Sequence, residues 1–391
     1  MIDRGWDSSL RSDAGPSGLN WDVVVCVMML LAIGTVMVFS ATTSFGESAK
    51  FHATNLTYLW RHLQSMAVAL AAGAVVYRIP MSFWFRWWWL IGGSVIGLLL
   101  LVFVPGLGRT VNGATRWVSL GGLNLQVSEM VKVAALIYTA AFVVRRQDFM
   151  HSFTKGFLPM ALVMMLISFL LMRQPDLGAT VVIAAEIMGT LFLGGLSMHI
   201  FVSVAAVVVA FVVFMIMSTP WRVGRVLAYL DPWADEYVLG QAYQLSHSLI
   251  AFGRGELFGV GLGGSVEKLN YLPEAHTDFI MAVIAEETGF FGVILVLFIF
   301  YWLIRRAFEI GRQAIKLGRI YQGLIAEGIG LWFGVQVFIN VGVASGALPT
   351  KGLTLPFVSF GGSALLSSIV AVALLLRVDK ENKILMRGGQ V

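Results

Sequence analysis

TDFIMAVIAEETGFFGVILVLFIFYWL, residues 277–303, decides what kind of protein this is. Polar residues give way at Asp278 to a run whose only further charges are Glu286 and Glu287. The run exceeds the roughly 20 apolar residues that a helix needs to cross a hydrocarbon core. Comparable runs lie near 22–42, 58–77, 83–104, 126–144, 157–172, 178–194, 198–218, 320–344 and 355–376, so the pattern predicts ten spans. Composition agrees. Of 391 residues, 58% are hydrophobic and 13% charged, whereas a soluble domain is about a quarter charged. The chain is read as an all-α integral membrane protein. A tail, 1–21, precedes a membrane domain, 22–376, and a second tail, 377–391, follows it. Residues 219–276 form a large, partly folded loop between the seventh and eighth spans.

Lysine and arginine orient the spans. With the N-terminus inside, the inner segments hold sixteen of these residues and the outer ones ten, with Lys132 inside a span. Four of the outer ten sit in the long 219–276 segment, which the rule discounts. Both termini are therefore expected in the cytoplasm. The polar start lacks the basic stretch and cleavage site of a secretory signal and reads as a retained tail. The 219–276 segment is too rich in large apolar residues, among them Trp221, Trp233, Leu249, Phe252 and Phe258, to be a disordered linker. Cys26 stands alone in an apolar run, so it can form no intramolecular disulfide and reads as a buried apolar residue.

Charge inside a span is costly, about 2.5–3.5 kcal/mol for an Asp, Lys or Arg at the helix centre, so such groups should face the protein interior. Glu129, Lys132, Glu186, Glu286, Glu287 and Glu327 fall in or near spans. Glu129 and Lys132 are three apart and share a helical face. Two uses are open for these groups: polar glue between helices, or a relay for protons or ions. Asp278 differs. With Thr277 or His276 as a cap it would stand in the first turn of its helix at the outer surface. There it either complements the helix dipole or does chemistry.

Three other signals lead nowhere. Gly259, Gly261 and Gly264 imitate a dinucleotide fingerprint without its strand–helix context. The six histidines show no metal-binding spacing. No basic–aromatic patch for nucleic acid appears, and the Phe83–Trp89 aromatics read as an interfacial belt facing membrane lipid.

Several long motifs carry a resemblance. YLPEAHTDFIMAVIAEETGFFG (271–292), HSLIAFGRGELFGVGLGGS (247–265), LPTKGLTLPFVSFGGSALL (348–366), NGATRWVSLGGLNLQVSE (112–129), RQPDLGAT (173–180) and LDPWADEYVLGQAYQ (230–244) occur in order over about residues 22–380. Together they resemble the FtsW/RodA/SpoVE family of shape, elongation, division and sporulation (SEDS) proteins, with wording nearest its division branch. The resemblance implies a ten-span bundle in the bacterial inner membrane, at the division septum. It implies a peptidoglycan glycosyltransferase that polymerises lipid II, an undecaprenyl-diphosphate-linked disaccharide-pentapeptide, on the outer face. Asp278 matches the family's essential aspartate. Substrate or diphosphate binding is implied for Lys351, Arg116, Arg109, Gln126, Ser128, Glu129 and Lys132. A class B penicillin-binding protein transpeptidase and other divisome proteins are the implied partners, and a divalent cation, Mg²⁺ or Mn²⁺, a conceivable cofactor.

The chemistry suits those residue types. A sugar alcohol is a weak nucleophile, so it needs a positioned base, worth about 10²–10⁴-fold. Inversion at the anomeric carbon asks for one carboxylate opposite the leaving group, as in inverting glycosidases. The departing diphosphate needs cations, which Lys351, Arg116 and Arg109 would supply unless they only anchor lipid headgroups. Two other classes compete with this reading: a lipid II translocator, on the strength of the intramembrane charges, and a non-enzymatic scaffold for a transpeptidase.

Overall fold

The computed structural model describes residues 18–43, 55–111, 114–120, 123–218 and 220–390, so most of the expected N-terminal tail lies outside the described residues. The chain is predominantly helical. The N-terminal half holds α1 (Trp21–Ala41), α2 (Asn55–Arg78), α3 (Met81–Arg86), α4 (Trp88–Leu101), α5 (Val127–Arg145), α6 (Leu158–Arg173), α7 (Leu177–Leu193) and α8 (Met198–Met217). Three shorter elements follow, α9 (Pro220–Leu230), α10 (Asp235–Val238) and α11 (Tyr243–Gly255). The long helices α12 (Ile280–Lys316), α13 (Ile320–Ala344) and α14 (Gly362–Met386) complete the chain.

Among the described residues, seven helices are long and apolar enough to cross a membrane: Trp21–Ala41, Leu56–Arg78, Val127–Arg145, Phe153–Arg173, Ile280–Lys316, Ile320–Ala344 and Gly362–Met386. The spans expected near 83–104 and 178–194 fall on the shorter apolar helices α4 (Trp88–Leu101) and α7 (Leu177–Leu193), and the one near 198–218 falls on α8 (Met198–Met217). The first of these is shortened because the chain leaves helical geometry at Trp87 (φ −96°, ψ 16°), which separates α3 from α4. At the centre, α13 runs along α12 and touches α5, α7 and α14, while α2 lies along α14 and α1 along α12. Cys26 is buried in α1.

The structure departs from an all-α reading in one place. Between α4 and α5 lies a three-stranded antiparallel meander, β1 (Gly108–Val111), β2 (Ala114–Leu120) and β3 (Leu123–Gln126). The sequence places Asn112-Gly113 and Gly121-Gly122 between these strands, the dipeptides that favour two-residue hairpins. Against a background of long apolar runs, that signal is easily passed over.

The 219–276 segment is folded. It carries α9 to α11 and buries Leu245, Ala251, Leu272 and Ala275. Its glycines serve a break in α12. Gly289 takes φ 66° and ψ −164° inside that helix, leaving backbone groups on both sides without their usual partners. The loop after α11 takes their place. Val260 and Gly261 donate N–H to the carbonyls of Glu286 and Glu287 at 2.9 and 3.1 Å, and Phe290 donates to Glu256 O at 2.9 Å. The fit is tight: a Cβ on Gly289 would lie 2.4 Å from Gly259 N.

Buried charges act mostly as glue. Lys268 pairs with Glu287 at 2.6 Å, and Arg254 with Glu286 at 3.2 Å. Glu286 also accepts the N–H of Val266 at 2.9 Å. These bonds tie α11 and the 256–279 loop to α12. Glu186 is fully buried, and neither of its carboxyl oxygens has a hydrogen-bond partner among the described residues. At the opposite end of the bundle, Arg319 and Arg377 both pair with Glu381, Arg306 pairs with Asp22 and Glu309, and Lys383 pairs with Asp379. Helix α14 continues through that end to Met386, into residues expected to be a tail.

Candidate active site

The site is built where the loop before α12 meets the loop before α14. Glu274 adopts φ 56°, and the turn it makes brings the N–H groups of Thr277, Asp278 and Phe279 onto its own carbonyl at 3.1, 3.1 and 3.2 Å. Helix α12 begins at Ile280 with Phe279 as its cap residue. Asp278 therefore stands just ahead of the helix rather than in its first turn, and neither Thr277 nor His276 is the cap. The expected dipole contact is replaced by the turn.

Residues 345–361, between α13 and α14, pack against this turn. The expected tenth span began at 355, but Leu355, Phe357 and Val358 are buried in an irregular segment and the helix starts at Gly362. Within this segment Gly352 lies against the carboxyl of Asp278: a Cβ added there would sit 2.6 Å from Oδ2. Gly352 and Lys351 line an open cleft of about 390 Å³, together with Arg116, Asp176, Gly178, Gln241, Gln244 and Thr350.

Arg116 reaches the cleft through a bulge. Arg109 pairs with Trp117 and Thr110 with Thr115, so Arg116 is the extra residue of β2, and such bulges re-aim a side chain. Its guanidinium donates from Nε to Gln174 O at 3.1 Å and from Nη2 to Pro175 O. Asp176 caps α7, accepting the N–H of Ala179 at 3.2 Å on Oδ1 and the hydroxyl of Ser128 at 2.8 Å on Oδ2.

Electrostatics at Asp278 are unusual. Burial, and then the neighbouring Glu274 carboxylate, push its carboxyl from the ordinary aspartate range up to about 7. Arg116 pulls the other way, and Asp176 adds to the rise. Such a carboxyl can be ionised near neutrality and still be basic enough to accept a proton. Burial also holds the adjacent His276 below the ordinary histidine value.

Residues 21–384 match the FtsW/RodA/SpoVE family, described as a cell cycle protein. The chain is 53% identical over 366 residues to a probable peptidoglycan glycosyltransferase FtsW of Burkholderia thailandensis, covering 93% of this chain and 79% of that one. It is 54% identical over 375 residues to the protein so described in Thiomonas intermedia, covering 95% and 90%. The chain belongs to the FtsW/RodA/SpoVE family. Among solved structures, this family member is similar to a chain of a peptidoglycan synthase complex, with TM-score 0.75 and 26% identity over 93% of this chain and 98% of that one. It is also similar to the rod shape determining protein RodA of Thermus thermophilus, with TM-score 0.67 and 27% identity over 93% and 97%.

In this FtsW/RodA/SpoVE chain the expected site residues divide into four groups. Arg116 and Lys351 line the cleft, and Asp278 lies beside it with its carboxyl against Gly352 of the cleft wall. Gln126 and Ser128 stand behind it: Gln126 donates its amide to Ser128 Oγ at 3.2 Å, and Ser128 holds Asp176. Arg109 is exposed on β1 and does not line the cleft. Glu129 and Lys132 pair at 2.8 Å inside the bundle. Lys132 is fully buried, bonded to Gln336 Oε1 at 3.0 Å and set over the ring of Trp332 at 5.1 Å. Their placement favours holding the structure around the cleft over touching a substrate. Asp176, Gln241 and Gln244 escaped the sequence reading, although each lies in a quoted motif. Asp176 carried the one available signal, an acid directly before a helical apolar run. Among the described residues no group of three or more His, Cys, Asp and Glu side chains could hold a metal ion.

Proposed function

We propose that this peptidoglycan glycosyltransferase polymerises lipid II into glycan strands for septal wall synthesis, with Asp278 as its general base. The observation that carries the reading is the Asp278 carboxyl set against Gly352, in the wall of a cleft that Lys351 and Arg116 also line. The ionised carboxylate takes the proton of the acceptor sugar's hydroxyl. That oxygen then bonds to the anomeric carbon of the growing strand, and the bond from this carbon to the lipid diphosphate breaks with its electron pair leaving on the diphosphate. Arg116 and Lys351 offset the charge that develops there. Asp176, held by Ser128 and backed by Gln126, fixes the neighbouring wall, and the amides of Gln241 and Gln244 offer donors and acceptors to sugar or acetamido groups. Arg109, exposed outside the cleft, would draw in the anionic headgroup. A divalent ion, Mg²⁺ or Mn²⁺, would arrive on the substrate diphosphate; none of these steps runs through it.

The protein is integral to the inner membrane. We place ten spans across it, counting α4, α7 and α8, with both termini cytoplasmic and residues 219–276 and the cleft periplasmic. The excess of inner lysine and arginine supports this orientation, as does the cluster of ion pairs at the end away from the cleft. A class B penicillin-binding protein is the partner this reading expects, supported by the likeness to a chain of a peptidoglycan synthase complex.

Purified protein and labelled lipid II test the proposal. Wild type is expected to make glycan polymer and Asp278→Ala to make less by about 10²–10⁴-fold. Polymer undiminished by Asp278→Ala overturns the assignment of the base. Lipid scrambling in liposomes that survives Asp278→Ala, without polymer, points to a translocator, and no polymer with any transpeptidase partner points to a scaffold.

A further inference from the structure

The base and the lysine lie on different loops, and one amide spans both. Asn340, 1% exposed on α13, donates from Nδ2 to Asp278 O at 2.9 Å and to Leu353 O at 2.5 Å. The two preceding carbonyls are held in the same way. Ser359 Oγ donates to Thr277 O at 2.5 Å, and Phe360 N to His276 O at 2.9 Å. Three consecutive carbonyls thus hang from α13 or from the loop that follows it. One turn before Asn340, Gln336 donates to Thr354 O at 2.8 Å while its Oε1 accepts from Lys132 at 3.0 Å and Trp332 Nε1 at 2.7 Å. The buried Glu129–Lys132 pair therefore steadies the amide that holds the lysine loop.

We propose that Asn340 is a positioning residue for polymerisation: its carboxamide sets the distance between the Asp278 carboxyl and the Lys351–Gly352 segment. The inference rests on Asp278 being the base. Base and leaving-group cation must serve one substrate at the same moment, and a misplacement of about 1 Å in such an arrangement costs around 10²-fold. The two hydrogens on the one amide nitrogen let Asn340 hold both carbonyls at once. An ionised aspartate of the same shape has none.

The test uses the full chain, labelled lipid II, and the variants Asn340→Asp, Ser359→Ala and Asp278→Asn. Asn340→Asp is expected to lower kcat about 100-fold with KM within about threefold of wild type, and to lower the melting temperature because two buried carbonyls lose their donor. Ser359→Ala, which removes one rung, is expected to lower kcat about tenfold with the same KM. Wild-type kcat in Asn340→Asp, equal factors of loss in binding and turnover, or failure of both the Asn340 and Ser359 variants to fold would overturn the inference. Asp278→Asn separates the two claims. If it stays active, the base assignment fails; if it is inactive while Asn340→Asp matches wild type, the positioning role alone fails.

Discussion

Asp278 sits where an aspartate is uncomfortable. Water is largely withdrawn from its carboxyl, Glu274 and Asp176 repel its charge, and Arg116 only partly compensates. A surface aspartate at neutral pH is a poor base because it is already a stable anion; this crowding restores its basicity. The same crowding makes the neighbouring backbone critical. Gly352 leaves room for Oδ2, and a methyl group at that position would lie 2.6 Å from it. Gly352→Ala is expected to displace the carboxyl and lower kcat by about 10–100-fold while the protein still folds and binds lipid II. Initial rates and substrate binding measured on the purified variant check this. Undiminished turnover would mean that the carboxyl does not work from its position against Gly352.

At the scale of elements, backbone does as much as side chains. A bulge in a strand turns Arg116 toward the cleft, and a broken helix opens α12 so that the loop leading to Asp278 can bond to it. Gly289 is the residue on which that break depends. Its positive φ costs a side chain about 1–3 kcal/mol, and a Cβ would also meet Gly259 N at 2.4 Å and Leu257 C at 2.6 Å. Gly289→Ala is therefore expected to lower thermal stability by at least that amount and to reduce activity, whereas alanine at Gly253, which has open space around it, should do neither. Melting curves of the two variants give the comparison. These features mark the limit of what the sequence discloses. Span-length apolar runs, the glycine cluster and the acid at 278 can be read directly from composition and period. The bulge, the turn at Glu274 and the glycine break depend on which segments meet, and no local pattern encodes that. Lys132 shows the converse: spacing correctly pairs it with Glu129, yet only the packed bundle reveals that its remaining contacts go to Gln336 and Trp332.

Across the whole molecule, a cleft lined by Arg116 and Lys351, with the Asp278 carboxyl against its Gly352, lies at one end of the bundle, and a set of ion pairs lies at the other. Helices α12, α13 and α14 connect them, and α13 carries the amides that hold the cleft loops. The account turns on Asp278 accepting a proton, which it can do only when ionised. With its carboxyl raised to about 7, lowering the pH through that value protonates it and removes the base, and raising the pH restores it. The decisive measurement is the single-turnover rate of lipid II polymerisation against pH, for wild type and Asp278→Asn. The wild-type rate is expected to be level above about 7 and to fall about tenfold per pH unit below it, with no such fall in the residual rate of the variant. A wild-type rate that is flat from pH 5 to 8, or the same fall in Asp278→Asn, would contradict it.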